Sequence, residues 1–479
     1  MSPAEYGHIA LAYTVVSLIG SLAYLGVSDG VTRYVSVDST PDRRRSLLHS
    51  GFLIAIIGSV TAIVLVFMLR GELAELANDD RLAGLLVLFA PYILISSLSK
   101  VSFAALRTSK QPRWAVTARN MGPRIVGLLL LGIFVLLEMP LIGALGYWIG
   151  SKAAMTVLSM YYVFRGISID ILPIEIPDRK TIRHLWSFSW PLAASSSVFL
   201  VLSNADILMI GYFLDSRFVG YYRSIQPLKG IALFIRSSFA FLFFPVATEY
   251  FANNDLSGLG ELYVVTTKWI LSLTFPLVLV FGLFASSIVR TFFGAAYLPA
   301  APALQILIFG MFLRTAVGMD GELIKAIDRP QFEFISAAFG VVANVVLNVV
   351  LIPVFGIAGA AVATIVGYAV YNAVELIIVY REIGTHPFSA NALKPLVPTA
   401  LVGLAVASLV ADFRLTLPSL IAIGVLLSAV HLFSLFLTRS LDSTDMFLLE
   451  EFENYTGVDL TRIKSAIEGR ASSSIGSDK

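Results

Sequence analysis

The stretch SRFVGYYRSIQPLKGIALFIRSSFA sets Arg223, Gln226, Lys229 and Arg236 into an otherwise apolar run. On a helix of 3.6 residues per turn, Lys229 and Arg236, seven apart, share one face, and Arg223 with Gln226 forms a neighbouring stripe. If the run crosses a bilayer, each central charge costs about 2.5–3.5 kcal/mol on insertion scales, so these side chains must face a water-filled cavity or a partner. A cationic wall over two turns suits a phosphate or diphosphate group. Arginine suits it best, because its forked donors match phosphate oxygens. Arg124, with Asn120 on its own face, and Arg33, in LGVSDGVTRYVS, complete the set of candidate anion-binding residues. Arg119 points to a different face.

A structural role competes at each position. Lys229 and Arg124 could snorkel to the membrane interface. Arg236 could neutralise Asp206, which lies mid-span in SNADILMIG, or Glu375. Asp206 reads first as the partner of an arginine and second as an ion-coupling site. Glu375, with Tyr371 four residues before it, could hold a proton or sodium ion. Other chemistries lack their residues. The five histidines, His8, His49, His184, His386 and His431, have no metal-ligand spacing. There is no GxxxxGK[ST] loop to hold ATP, no GxSxG elbow and no basic stripe for nucleic acid. Cysteine is absent, which removes thiol catalysis and disulfides. The expectation is a protein that is not an enzyme and uses no cofactor and no metal.

The elements that must position these charges are membrane helices. Hydrophobic residues make up 57% of the 479 and charged ones only 14%, with mean hydropathy +0.82; a soluble surface needs about a quarter charged. Runs such as GFLIAIIGSVTAIVLVFML approach the roughly 20 apolar residues that span a bilayer. No β-barrel alternation is present. The first run is too long for a signal peptide and lacks its basic flank. Spans are expected near 8–28, 46–69, 83–106, 115–137, 141–164, 187–213, 218–247, 263–285, 299–320, 331–353, 356–380, 395–411 and 416–437. The fold class is therefore an all-α integral membrane protein of about thirteen transmembrane helices.

Lysine and arginine sort strongly between alternate loops. Arg33, Arg43, Arg44, Arg45, Arg107, Lys110, Arg113, Arg165, Arg179, Lys180, Arg183, Lys325, Arg329, Arg381 and Lys394 lie on one side, against Arg70, Arg81, Arg217, Arg290 and Arg414 on the other. The richer side is cytoplasmic. That puts the N-terminus outside and the C-terminus inside. The tail 439–479 reads as two short amphipathic helices, with Ser443 and Asp459 as N-caps, followed by a solvated end.

The chain also repeats itself. KQPRWAVTARNMGPRIVG aligns with DRPQFEFISAAFGVVANV, pairing Pro112 with Pro330 and Gly122 with Gly340; further on, Gly143 and Ala144 pair with Gly359 and Ala360, and Arg165 with Arg381. Extended backward, PAEYGHIALAY falls opposite SRFVGYYRSIQ, with Gly7 against Gly220. In the second half a complete span precedes that segment. The chain is thus expected to start at the second helix of a six-helix half. The domains expected are an N-lobe at 1–164, a cytoplasmic linker at 165–185, a C-lobe at 186–382, two additional helices at 383–438 and the tail. Within the C-lobe, Gly359, Ala363 and Gly367, like Gly356, Ala360 and Thr364, recur every fourth residue and allow close helix approach. Asn344 and Asn348 can hydrogen-bond to a neighbouring helix.

NVVLNVVLIPVFGIAGAAVAT, FFGAAYLPAAPALQIL and LSNADILMIGYFLDSRFVGYYRSIQPL together resemble the oligosaccharide-flippase and polysaccharide-export branch of the multidrug/oligosaccharidyl-lipid/polysaccharide superfamily. The resemblance spans nearly all of residues 1–440. It implies two pseudo-repeated lobes, as in the MATE transporters, around a central cavity. It also implies movement of a polyprenyl-(di)phosphate-linked oligosaccharide from the cytoplasmic to the outer leaflet of the plasma membrane. The partners implied are that lipid-linked oligosaccharide, membrane lipid, and glycosyltransferases or a polymerase of one pathway. Arg33 matches the place in the family's second helix where a basic residue faces the cavity. Two rivals stand beside this reading. A cation-coupled drug exporter of the same fold would favour carboxylates over arginines in its spans. A membrane polysaccharide polymerase or ligase would need a long external loop.

Overall fold

A computed structural model describes residues 1–441 and Asp445, apart from Leu25, 38–39, 109–110 and 167–176. Those residues are all-helical, and they divide into two compact units, Met1–Gly220 and the chain from Tyr221 onward. The first unit holds α1 (Pro3–Ala23), α2 (Val27–Val37), α3 (Pro41–Leu76), α4 (Leu82–Arg107) and α5 (Pro112–Val116). After a π-helical turn, Thr117–Met121, come α6 (Gly122–Leu136), α7 (Pro140–Gly166) and α8 (Arg179–Phe213). Helix α9 (Ser216–Ala252) begins at the end of this unit.

Helix α4 is the centre of the first unit and packs on α1, α3 and α7. Four of its serines, Ser96, Ser97, Ser99 and Ser102, are buried. The last three turn their hydroxyls onto carbonyls of their own helix, Ile93, Ser96 and Leu98. Small side chains satisfied in this way let neighbouring helices approach without stranding a polar group in the membrane. Helix α8 packs on α1, α2 and α3, so it belongs to the first unit. Gly7 of α1 lies so near the start of α9 that a Cβ there would sit well inside contact distance of the Ser216 carbonyl. Gly220, its partner in the internal repeat, meets the Pro3 carbonyl in the same way.

The second unit continues with α10 (Leu256–Leu283), α11 (Ala285–Phe293), a 3₁₀ turn at Ala295–Ala300, α12 (Ala301–Ala316) and α13 (Asp320–Ala326). The long α14 (Pro330–Ile383) and then α15 (Ala390–Leu393), α16 (Leu396–Leu409) and α17 (Leu417–Leu437) complete it. Helix α14 is two spans joined at Gly356, whose φ of +59° and ψ of −139° break the helical path. Its two arms close on each other at glycine. A Cβ on Gly340 would lie 2.8 Å from the Gly367 carbonyl, and one on Gly367 2.8 Å from the Gly340 carbonyl. Across the same seam Asn344 Nδ2 reaches Thr364 Oγ1 at 3.5 Å, while Asn348 donates to Asn344 at 3.0 Å.

Ten stretches among the described residues are long and apolar enough to cross a membrane, one of them the bent Gln331–Ile383. At about 1.5 Å per residue, α8 and α9 also exceed the bilayer core. Exposed Ile57, Val64 and Met68 on α3, and Leu128, Leu129 and Leu136 on α6, are the apolar flanks that such helices turn to lipid. The N-caps Ser443 and Asp459 expected in the tail lie outside the described residues. Asp445 itself is buried. Its Oδ2 accepts from Lys268 Nζ at 2.6 Å and its Oδ1 from the Trp269 indole at 2.9 Å.

Candidate functional site

Helix α9 carries the cationic stretch as one helix, Pro227 and Pro245 included. Arg223, Gln226, Lys229 and Arg236 are all half-buried on it. The Gln226 amide nitrogen is buried without a hydrogen-bond acceptor. Arg236 has its donors engaged. Its Nε donates to the Gly318 carbonyl at 2.7 Å, and its Nη2 to Asp320 Oδ1 at 3.1 Å and Glu322 Oε2 at 2.9 Å. The carboxylates that hold Arg236 are therefore Asp320 and Glu322, not Asp206 or Glu375 as the sequence suggested. Asp206 is buried on α8.

Asp320 is the hub of this cluster. It is fully buried, and beyond Arg236 it accepts from Arg314 Nη1 at 3.1 Å on each oxygen and from the Gly321 amide at 3.0 Å. Arg314 also donates to Asn372 Oδ1 at 2.8 Å, and its guanidinium lies 4.4 Å from the Tyr371 ring centroid. The turn that delivers Asp320 is fixed from three sides. Gly318 has φ +68°, and a Cβ on it would strike the Thr267 hydroxyl. The Tyr263 hydroxyl donates to the Val317 carbonyl at 2.6 Å. Arg236 takes the next carbonyl. Glu375 sits in the same cluster beside Asp320 and Tyr371, wholly buried. Two arginines thus face Asp320 and Glu322 in balance, and Glu375 is a fifth group.

The first unit holds a different kind of cluster. Lys100 of α4 donates to Ser21 Oγ at 3.2 Å and places its Nζ 3.7 Å from the Tyr24 ring centroid. The charges of Lys152 on α7 and Asp29 on α2 act on it. The ammonium of Lys152, half-buried, makes no hydrogen bond or ion pair within the described residues, and the charge of Arg119 on the π-helical turn acts on it. Toward the other end of the same three helices, Tyr13 stacks on Trp148 with ring centroids 4.4 Å apart and 14° between planes. Behind them lie Phe89 and Tyr92, both buried.

Of the other candidates, Arg33 is exposed on α2, with its guanidinium 5.9 Å from the Tyr34 ring centroid, and Arg124 is exposed in the first turn of α6. The structure joins Arg236 to Asp320 and Arg314, and shows Lys100 and Lys152 as a cation pair that the sequence reading passed over. The signal was present: both lysines fall inside apolar spans, where the cost of a charge applies as much as it does on α9. Helix α8 is capped by Asp178, whose Oδ1 accepts from the Thr181 amide at 2.6 Å. Hydrogen bonds from the Thr181 hydroxyl and amide hold that carboxyl below the ordinary carboxylate range.

Residues 1–302 match the family described as polysaccharide biosynthesis proteins. A probable low-salt glycan biosynthesis flippase of Haloferax volcanii, Agl15, is 28% identical over 207 residues, covering 43% of each chain. Among solved structures, the lipid II flippase MurJ in an inward closed conformation superposes with a TM-score of 0.70 at 16% identity, over 90% of this chain and 92% of that one. An inward-facing MATE multidrug transporter of the MOP superfamily gives 0.65 at 16% identity, over 80% and 91%. The chain belongs to the polysaccharide biosynthesis protein family and has the all-helical transporter fold of the MOP superfamily.

Proposed function

We propose that this protein is a flippase that carries a polyprenyl-(di)phosphate-linked oligosaccharide from the cytoplasmic to the outer leaflet of the plasma membrane, for surface polysaccharide or glycoprotein assembly. The observation that carries the reading is membership of the polysaccharide biosynthesis family by a chain with a transporter fold. The physical chemistry supports it. Cations outnumber carboxylates on the half-buried faces of α4, α7 and α9, and an anionic headgroup needs that bias. Arg33, Arg124, Arg223 and Lys229 are its proposed anion contacts, while Arg236 holds the α9 end of the Asp320 cluster. A cation-coupled drug exporter shares the fold but would prefer the reverse polarity.

Connections on the side opposite the basic loops are short at Ala77–Arg81, Leu137–Met139, Leu214–Asp215 and Val410–Thr416, and the longer one, Phe284–Ala300, is taken up by α11 and a 3₁₀ turn. They offer little room for the long catalytic loop of a polymerase or ligase, so the protein moves its substrate without remaking it. The basic loops lie in the cytoplasm, and so does the C-terminal tail. Glycosyltransferases of the same pathway supply the substrate on that side. The experiment is to deplete the protein in its native cells and label lipid-linked saccharide with a membrane-impermeant reagent. Accumulation of unlabelled, inner-leaflet saccharide lipid is expected; unchanged labelling overturns the reading.

A further inference from the structure

We infer that the first unit contains a binding subsite for a sugar phosphate, in which Lys100 and Lys152 take the phosphate and the Tyr13–Trp148 pair takes the attached sugar ring. The inference rests on the flippase reading for its substrate class, but its geometry stands alone. Side chains on a transmembrane helix that are both polar and accessible face water or a ligand, because lipid cannot solvate them. On α1 and its C-cap those residues include Tyr13, Ser17, Ser21 and Tyr24, all half-exposed. Their spacing of four, four and three keeps them on one stripe. Lys100 meets this stripe at Ser21 and Tyr24, and Trp148 meets it at Tyr13. Trp148 and Lys152 are four apart on α7 and so share a face. Three helices therefore converge on one accessible polar surface.

The two ends of that surface differ in chemistry. At one end α4 and α7, which pack on each other, each bring a half-buried ammonium group, Lys100 and Lys152. The carboxylate that acts on Lys100 is Asp29, which is exposed and forms no ion pair with it; Lys152 has no paired carboxylate among the described residues. Like charges held together in a low-dielectric site repel unless an anion lies between them. The Ser21 hydroxyl adds a donor and acceptor beside that position. At the other end, the Tyr13 and Trp148 rings form an apolar shelf with polar tips, which suits the C–H face of a sugar and its hydroxyls. The ends are about 6–12 Å apart along the helices, from four residues on α7 to eight on α1. That is the reach of a sugar bonded directly to a phosphate. The π-helical turn carrying Arg119 packs on α7, and π-turns are frequent at functional sites.

The test uses the full chain in detergent micelles, titrated with inorganic pyrophosphate and separately with N-acetylglucosamine 1-phosphate, and read by tryptophan fluorescence and by equilibrium dialysis. Both probes are expected to saturate. Lys100→Gln and Lys152→Gln should each weaken both by about tenfold or more, the loss of one charge-assisted hydrogen bond. Lys100→Arg should restore binding, which separates a lost contact from a lost fold. Trp148→Phe should weaken the sugar phosphate more than pyrophosphate. No binding by the wild-type chain, or equal binding by the glutamine variants, overturns the subsite. The flippase reading is judged separately, by transport of a lipid-linked saccharide in vesicles. Lost transport with intact, lysine-dependent anion binding would sink that reading and keep the subsite. Transport by wild type and glutamine variants alike would do the reverse.

Discussion

Asp320→Asn is a nearly isosteric change that removes one charge from the centre of the Arg236–Asp320–Arg314 cluster. In the structure the carboxylate accepts three arginine hydrogen bonds of 3.1 Å and one backbone bond of 3.0 Å. The asparagine oxygen can keep the bonds from Arg236 and Gly321 and one of the two from Arg314. Its amide nitrogen then faces the Arg314 donor and repels it. Two unit charges about 4 Å apart interact by about 4 kcal/mol at an effective dielectric of 20. Removing one partner of a buried pair costs about 3–5 kcal/mol, because the other charge is left uncompensated. Asp320→Asn should therefore destabilise the second unit by about 3–5 kcal/mol. Arg314→Met should cost a similar amount, and the double variant should fall short of the sum by about 2 kcal/mol. The assay is reversible unfolding in mixed micelles, with the midpoint followed by tryptophan fluorescence. Single variants within about 0.5 kcal/mol of wild type, or strict additivity, would refute the hub.

Other consequences follow from single features. Asp445→Ala takes the carboxylate from Lys268, which keeps the Ser440 carbonyl at 3.1 Å, and should cost about 3–5 kcal/mol, measured in the same micelle assay; a neutral result would mean that the Lys268–Asp445 pair does not hold in the folded protein. Gly356→Ala meets no neighbour within 4 Å, so its cost is backbone strain alone. About 1–3 kcal/mol is expected for a residue forced to that φ and ψ, and a stabilised variant would contradict the bend in α14. At Asp178 the depressed carboxyl contributes stability above its unfolded-state pKa and loses it as pH falls through the lower folded value. Hydrogen exchange at the first turn of α8 should accelerate as pH is lowered into that range. Asp178→Asn should flatten the profile; an unchanged pH dependence in that variant would rule the cap out as its source.

What the sequence discloses here is what depends on the chain's own periodicity. Apolar run length places the helices, and spacing by four finds the glycine stripe where Gly340 and Gly367 meet. The same spacing marks Asn344 and Asn348 as one polar stripe, and the structure supplies Thr364 as the partner of Asn344. Partners across helices are less legible. Arg236 and Asp320 are 84 residues apart, and nothing in their local patterns distinguishes that pairing from one with Asp206 or Glu375. Desolvation cost says that a buried charge needs a partner but not which one. Lys100 and Lys152 illustrate the other limit. Each alone is a lysine on an apolar helix, and only the convergence of α1, α4 and α7 turns the pair into a site. Asp445 was hidden because the composition around it is the same whether its carboxylate is solvated or buried.

The most direct test of the central claim is transbilayer movement of a fluorescent polyprenyl-diphosphate saccharide in proteoliposomes holding the purified chain. The account expects protein-dependent movement that falls at least about tenfold when Arg223 is changed to alanine, one charge-assisted contact to the headgroup being lost, in a variant whose unfolding midpoint is unchanged. Movement that equals protein-free vesicles, or that is indifferent to Arg223, would contradict it.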